Sequence, residues 1–102
     1  MDLRLAGTGR FGPISWLGVA GDVQALCELA AGARRAARVA KVATDGKDYV
    51  PHLTLGRDDG ALADAMWGWE SELWRVEELR LMRSRIEGRT RHEVIATFPL
   101  HD

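Results

Sequence analysis

Apolar and polar residues alternate at Leu3-Arg4-Leu5-Ala6, the pattern of a strand with one buried face. Gly7-Thr8-Gly9-Arg10-Phe11-Gly12-Pro13 breaks the pattern, and residues 14–19 predict a second strand with Trp16 as its bulkiest member. Gly21-Asp22 predicts a turn ending in an N-cap, because the Asp carboxylate can accept from free backbone N–H groups. A helix is expected over Val23–Val39, where Val23, Leu26, Cys27, Ala30, Ala33 and Ala37 recur on one face. Cys27 lies on that apolar face and is expected to be a small buried hydrophobe rather than a nucleophile. Arg34, Arg35, Arg38 and Lys41 crowd the C-terminal end, where the helix dipole favours cations.

Asp45-Gly46-Lys47 predicts a turn, and residues 49–57 a strand that carries Pro51 near its start. Asp58-Asp59-Gly60 stops it. A short helix is expected over residues 61–69 with Leu62, Ala65, Met66 and Trp69 inward, then a long strand over residues 74–86. The apolar parity shifts near Glu77-Glu78, as a bulge would cause. Glu87-Gly88-Arg89-Thr90-Arg91 predicts a hairpin turn, and residues 92–100 a final strand with Val94, Ala96, Phe98 and Leu100 on one face. The expected order is β-β-α-β-α-β-β, without a repeat or linker that would divide the chain into two domains.

The chain has 102 residues, which allows one small domain with a limited core. Fourteen Lys+Arg against fifteen Asp+Glu give a net charge of −1, which excludes a strongly basic protein that holds nucleic acid by charge alone. A single cysteine excludes an internal disulfide framework and a Cys-rich zinc site, and fits a reducing cytoplasm. Met1-Asp2-Leu3-Arg4-Leu5 lacks the shape of a signal peptide, and no apolar run approaches the ~20 residues of a membrane helix.

The sharpest chemistry lies in Pro51-His52-Leu53-Thr54-Leu55-Gly56-Arg57. Alternation along a strand sends Leu53 and Leu55 to the core and His52 and Thr54 to the other face, with Arg57 beyond them if the strand bends at Gly56. An imidazole beside a hydroxyl donor suits a phosphate oxygen, and histidine is well matched to proton transfer near neutral pH. The competing reading is two polar residues on a solvated sheet face. Gly7-x-Gly9 lacks the third glycine and the following helix of a dinucleotide fingerprint, so a strand-to-strand loop is the better account. His92 and His101 have no spacing that makes them metal ligands with His52. The arginines at 75, 80, 83, 85, 89 and 91 form either a phosphate-steering stripe or a solvated strand and turn. Trp67, Trp69 and Trp74 stack on bases or, for at least two of them, pack in the core.

Several segments in this order resemble the LigT-like branch of the two-histidine phosphoesterases, the RNA 2′,3′-cyclic phosphodiesterases also called 2′-5′ RNA ligases. They are LRLAGTGRF at residues 3–11, WLGVAGD at 16–22, YVPHLTLGR at 49–57, Trp74-x-Val76, LRLMRSR at 79–85, and EVIATFPL at 93–100. The resemblance implies an α+β fold: an antiparallel sheet with two helices, part of a bilobal protein in which two His-x-Thr motifs face each other across a cleft. His52 and Thr54 match the second motif as catalytic residues, and Arg57 is the candidate substrate-binding residue. Neither His92-Glu93-Val94 nor His101-Asp102 supplies a first motif, so the chain is expected to be the C-terminal part of such an enzyme.

The implied reaction opens RNA 2′,3′-cyclic phosphate ends to 2′-phosphates with two imidazoles as base and acid, and with no metal or other cofactor. The implied partner is RNA bearing such ends. A two-fold homodimer that brings together two copies of His52 would restore the missing half, and uncovered strand edges favour such association. Three functions therefore compete: a phosphodiesterase complete only with a second histidine, a phosphate- or RNA-end-binding module, and a dimerising fragment.

Overall fold

The computed structural model describes residues 1–101, the side chain of Glu87 excepted. The fold is α+β. Strands β1 (Asp2–Phe11), β2 (Ile14–Gly21), β3 (His52–Arg57) and β4 (Trp74–Arg75) form an antiparallel sheet in the order β3-β2-β1-β4. Helix α1 (Val23–Val39) follows β2, and the short helix α2 (Ala61–Ala65) follows β3. Strands β5 (Glu78–Glu87) and β6 (Arg89–Pro99) form a separate two-stranded sheet. Asp102, which follows His101 in the sequence, lies outside the described residues.

The hairpin expected at residues 87–91 forms with a tighter turn, β6 starting at Arg89, and β1 and β2 form a second hairpin in which β1 runs through the Gly7-x-Gly9 segment. A register shift between Leu5 and Thr8 absorbs the break, with Gly7 at φ 82°. That backbone conformation costs glycine little and a residue with a Cβ much more. Alanine-rich α1 spans the expected residues, consistent with high intrinsic propensity. Asp22 does not cap it: its Oδ2 accepts from the Asp2 N–H at 2.8 Å, tying the end of β2 to the start of β1. No residue of α1 is fully buried and Cys27 is exposed, against the expectation that it would be buried, but Val23, Leu26, Ala30 and Ala37 of the expected apolar face are half-buried. The helix forms no extensive packing contact with any strand.

The core is small: Leu3, Leu17 and Ala63 are the buried apolar side chains among the described residues, with Ser15 fully buried beside them. Helix α2 covers this region. Its Leu62 comes close over Gly56, where an added Cβ would meet Leu62 Cδ1 at 3.2 Å. The helix ends at Ala65, short of the expected residue 69; Ala63 is its buried residue and Met66 is half-buried, whereas Leu62, Ala65 and Trp69 are exposed, against the expectation that they face inward. Trp67, Trp69 and Trp74 are all exposed, contrary to the expectation that at least two would be core.

The long strand expected over residues 74–86 is two strands in two sheets. Val76 N–H donates to Met1 O at 2.8 Å, ending the first sheet, and Leu100 N–H donates to Glu77 O at 2.8 Å, beginning the second. The parity shift near Glu77-Glu78 is thus a change of sheet. A bulge does occur farther on, where Leu81 pairs with Ala96 but Met82 pairs with Val94, leaving Ile95 extra on β6. It puts Val94 on the face opposite Ala96 and Phe98, so the expected single apolar face of β6 is split in two.

Candidate functional site

β3 is an edge strand and pairs with β2. His52 lies opposite Gly18 and Thr54 opposite Trp16, so these side chains share one face of the sheet. At two residues' separation, about 7 Å along a strand, they can reach one phosphoryl group. Beyond Thr54 the register shifts: Gly56 pairs with Ser15, and Arg57 pairs with Ile14. Leu55 is the extra residue of a bulge. Simple alternation would send Arg57 to the far face from His52, and the bulge returns it to the near one. His52, Thr54 and Arg57 are all exposed on that face. Opposite Gly18 and Ile14, His52 and Arg57 are about 13 Å apart along the sheet.

The bulge also alters the expected core pair. Leu55 is half-buried at the irregularity, whereas Leu53, on the same face as Leu17, stays 49% exposed. Leu62 of α2 lies against Gly56 at the other end of the strand.

The far end of β3 is pinned. Ser15 Oγ donates to Asp58 Oδ1 at 2.5 Å, Leu62 N–H donates to Asp58 Oδ2 at 2.7 Å, and Asp58 N–H donates to Pro13 O at 2.8 Å. The Ser15 hydrogen bond, the Leu62 N–H and nearby Arg10 hold the Asp58 carboxyl below its ordinary value of 3.8. This clamp fixes the backbone next to Arg57.

His52 is oriented by its own strand. Its Nδ1 lies 2.6 Å from Val50 O. A carbonyl only accepts, so Nδ1 carries the hydrogen, which leaves Nε2 to take up or release a proton. The ring stands edge-on to Phe11 at a centroid distance of 5.0 Å and tilted to Trp16 at 6.1 Å, and Phe11 and Trp16 contact each other at 5.2 Å. Trp16 lies over Gly9, where an added Cβ would come within 2.2 Å of its ring. Gly7-x-Gly9 is therefore structural, one glycine at a bulge and the other beneath an indole.

A cavity of about 560 Å³ opens beside His52. Phe11, Tyr49 and Val50 supply apolar walls, and Arg34, Lys47 and Asp48 charge. Arg34 donates to the Lys47 carbonyl and lies 3.9 Å from Asp45, so it braces the 45–48 turn. Desolvation raises the Tyr49 hydroxyl pKa above its ordinary 10.0, with Cys27 adding to the rise, so the phenol stays neutral.

The remaining candidates lie elsewhere. His92 Nδ1 is 2.9 Å from Ser84 Oγ on the β5–β6 hairpin, and His101 borders a cleft with Arg75 and Glu77. Five of the six arginines of the series lie on the β5–β6 hairpin, with Arg83, Arg85, Arg89 and Arg91 on one face and away from His52's sheet, while Arg75 is on β4; Arg75 pairs with Asp2, Arg80 with Glu78 and Arg85 with Glu93. No group of three His, Cys, Asp or Glu side chains capable of holding a metal occurs among the described residues. Among the described residues no helix is long and apolar enough to cross a membrane.

The sequence reading missed Phe11 and Trp16 as neighbours of His52. Their parity on β1 and β2 was legible, but only the pairing of β2 with both β1 and β3 brings them together. No family model, curated protein or solved structure matches this chain.

Proposed function

We propose that the face carrying His52, Thr54 and Arg57 is one half of a metal-independent, two-histidine site that hydrolyses RNA 2′,3′-cyclic phosphate ends to 2′-phosphates, within a bilobal fold. The observation that carries this reading is the fixed imidazole: Nδ1 is committed to Val50 O, and a hydroxyl lies two residues away on the same exposed face. In the proposed reaction one imidazole takes a proton from water as the water oxygen bonds to phosphorus. The P–O3′ bond breaks, and the opposite imidazole protonates the departing O3′. Thr54 donates to a non-bridging oxygen as charge builds there. Arg57 is too far along the strand to share that phosphoryl group and instead contacts a neighbouring phosphate of the RNA. Two imidazoles supply both proton transfers, so the chemistry calls for no metal.

The cavity beside His52 contains one imidazole, and a second copy of the chain is the proposed source of the other. The same observation favours one alternative, an RNA-end-binding module without turnover. The free thiol of Cys27 fits a cytoplasmic setting.

The test is incubation of the chain with a 2′,3′-cyclic nucleotide and with an RNA oligonucleotide ending in a 2′,3′-cyclic phosphate, followed by ³¹P NMR. The expected product is the 2′-phosphate alone, with turnover per chain rising with protein concentration. His52→Ala should lower the rate by about 10²–10⁴-fold. Full turnover in that variant would overturn the assignment. Salt-dependent RNA affinity that survives in His52→Ala, with no turnover in either protein, would establish the binding module instead.

A further inference from the structure

Residues 83–93 carry four arginines against two glutamates, a net charge of +2, whereas the whole chain carries −1. The register of the β5–β6 hairpin gathers this charge on one face. Arg83 pairs with Glu93, Arg85 with Arg91 and Glu87 with Arg89, so Arg83, Arg85, Arg89 and Arg91 share a side of the sheet. Arg80, of the opposite parity, stands on the other side and pairs with Glu78. All four arginines of the basic face are exposed. Glu93 lies 3.2 Å from Arg85, and Arg83, Arg89 and Arg91 make no ion pair among the described residues.

Like charges directly opposed across two strands are destabilising, and Arg85 stands opposite Arg91 with one carboxylate beside them. An anion seated between the two guanidiniums relieves that repulsion. Arginine is the side chain whose planar fork takes two oxygens of one phosphate. Along each strand the arginines repeat at about 7 Å, so the face offers phosphate contacts in series. It then continues to Leu81, Leu79 and Phe98, because Leu79 pairs with Phe98. Phe98 is 50% exposed and lies about 14 Å along the sheet from Arg83. An open basic track that carries an exposed aromatic ring suits a single strand, whose backbone follows the cations while a base stacks on the ring. A duplex hides its base faces, and a bilayer has no ordered series of phosphates for the arginines to follow.

We propose that this face binds single-stranded nucleic acid, with Arg83, Arg85, Arg89 and Arg91 on backbone phosphates and Phe98 under a base. The surface belongs to a different sheet from His52 and does not rest on the two-histidine reading.

Fluorescence anisotropy with a labelled, unstructured RNA of about 12 nucleotides tests this. A 3′-hydroxyl end offers the His52 site no cyclic phosphate. Titration from about 25 to 200 mM NaCl should give a log–log salt slope near −2 to −3, as three to four single-strand phosphate contacts at about −0.7 each require. The double variant Arg85→Gln, Arg91→Gln should flatten the slope by about 1.4 and weaken binding at least tenfold at low salt. Phe98→Leu, which keeps an apolar side chain in the strand, should weaken binding about fivefold with the slope unchanged. Arg80→Gln, on the opposite face, and His52→Ala should bind as the parent does. Absence of binding at about 25 mM NaCl, or parental affinity and slope in the double variant with its circular dichroism intact, would overturn the proposal. So would an equal loss in Arg80→Gln, or tighter binding to a duplex of the same sequence or to phosphatidylserine vesicles than to the single strand. Parental RNA binding in His52→Ala, with no cyclic-phosphate hydrolysis by either protein, would overturn the proposed hydrolysis and leave this surface standing.

Discussion

Gly9→Ala places one methyl group under Trp16 and should disturb His52 from two strands away. The new Cβ would sit 2.2 Å from Cζ2, 2.4 Å from Cη2 and 2.7 Å from Cε2 of the indole, where ordinary van der Waals separations begin at 3.4 Å. The ring must withdraw by about 1.2 Å, the difference between 3.4 and 2.2 Å. It cannot do so without loosening its packing against Phe11 at 5.2 Å and His52 at 6.1 Å. Overpacking costs about 1–3 kcal/mol, and breaking an aromatic pair costs about 0.5–1.5 kcal/mol. A combined destabilisation of roughly 2–3 kcal/mol should be measurable by urea unfolding followed by circular dichroism. The His52 ring resonances should shift with it, and a displacement of about 1 Å at a reacting group can cost 10²-fold in rate.

Trp16→Val provides the control. It removes the clashing ring, and with it an indole Nε1–H that is buried without a hydrogen-bond partner. If the clash is the cause, Gly9→Ala should cost under about 0.5 kcal/mol in the Trp16→Val background, a coupling that a double-mutant cycle reports directly. Unchanged stability and His52 resonances in Gly9→Ala, or its full cost persisting without Trp16, would refute the clash.

Two further outcomes follow from β3. Deleting Leu55 should remove the bulge and keep Thr54 opposite Trp16 and Arg57 opposite Ile14. The cost should be about 1–2 kcal/mol for the half-buried leucine, and cross-strand NOEs should report the unchanged pairing; a Thr54 or Arg57 that changes partner would refute the bulge assignment. At the clamp, the Asp58 carboxyl is held below its ordinary value in the folded chain, so its stabilising contribution is fully present above that value and fades as pH falls through the folded pKa. Asp58→Asn should therefore be less stable than the parent at neutral pH. The gap should narrow on acidification below about pH 4, and a gap constant with pH in denaturant titrations would refute the role assigned to the carboxylate.

Local pattern determined much of this protein. Helix α1 was legible because a run rich in alanine and arginine favours helix without tertiary help, and the succession of elements along the chain, apart from the division of residues 74–86 into two strands, followed from short apolar runs punctuated by glycine, proline and aspartate. His52 and Thr54 on one face followed from strand periodicity alone. Tertiary structure decided the rest. Arg57 joins them because one extra residue, Leu55, is accommodated against β2, and a bulge is a property of two strands, invisible in one. Phe11 and Trp16 reach His52 through pairings between segments far apart in sequence. Cys27 and the apolar stripe of α1 looked like core because periodicity reports which residues share a face, and it carries no information on whether anything packs against that face. The same holds for β5 and β6: their apolar residues alternate as a half-buried strand's would, yet among the described residues no other element packs extensively against them.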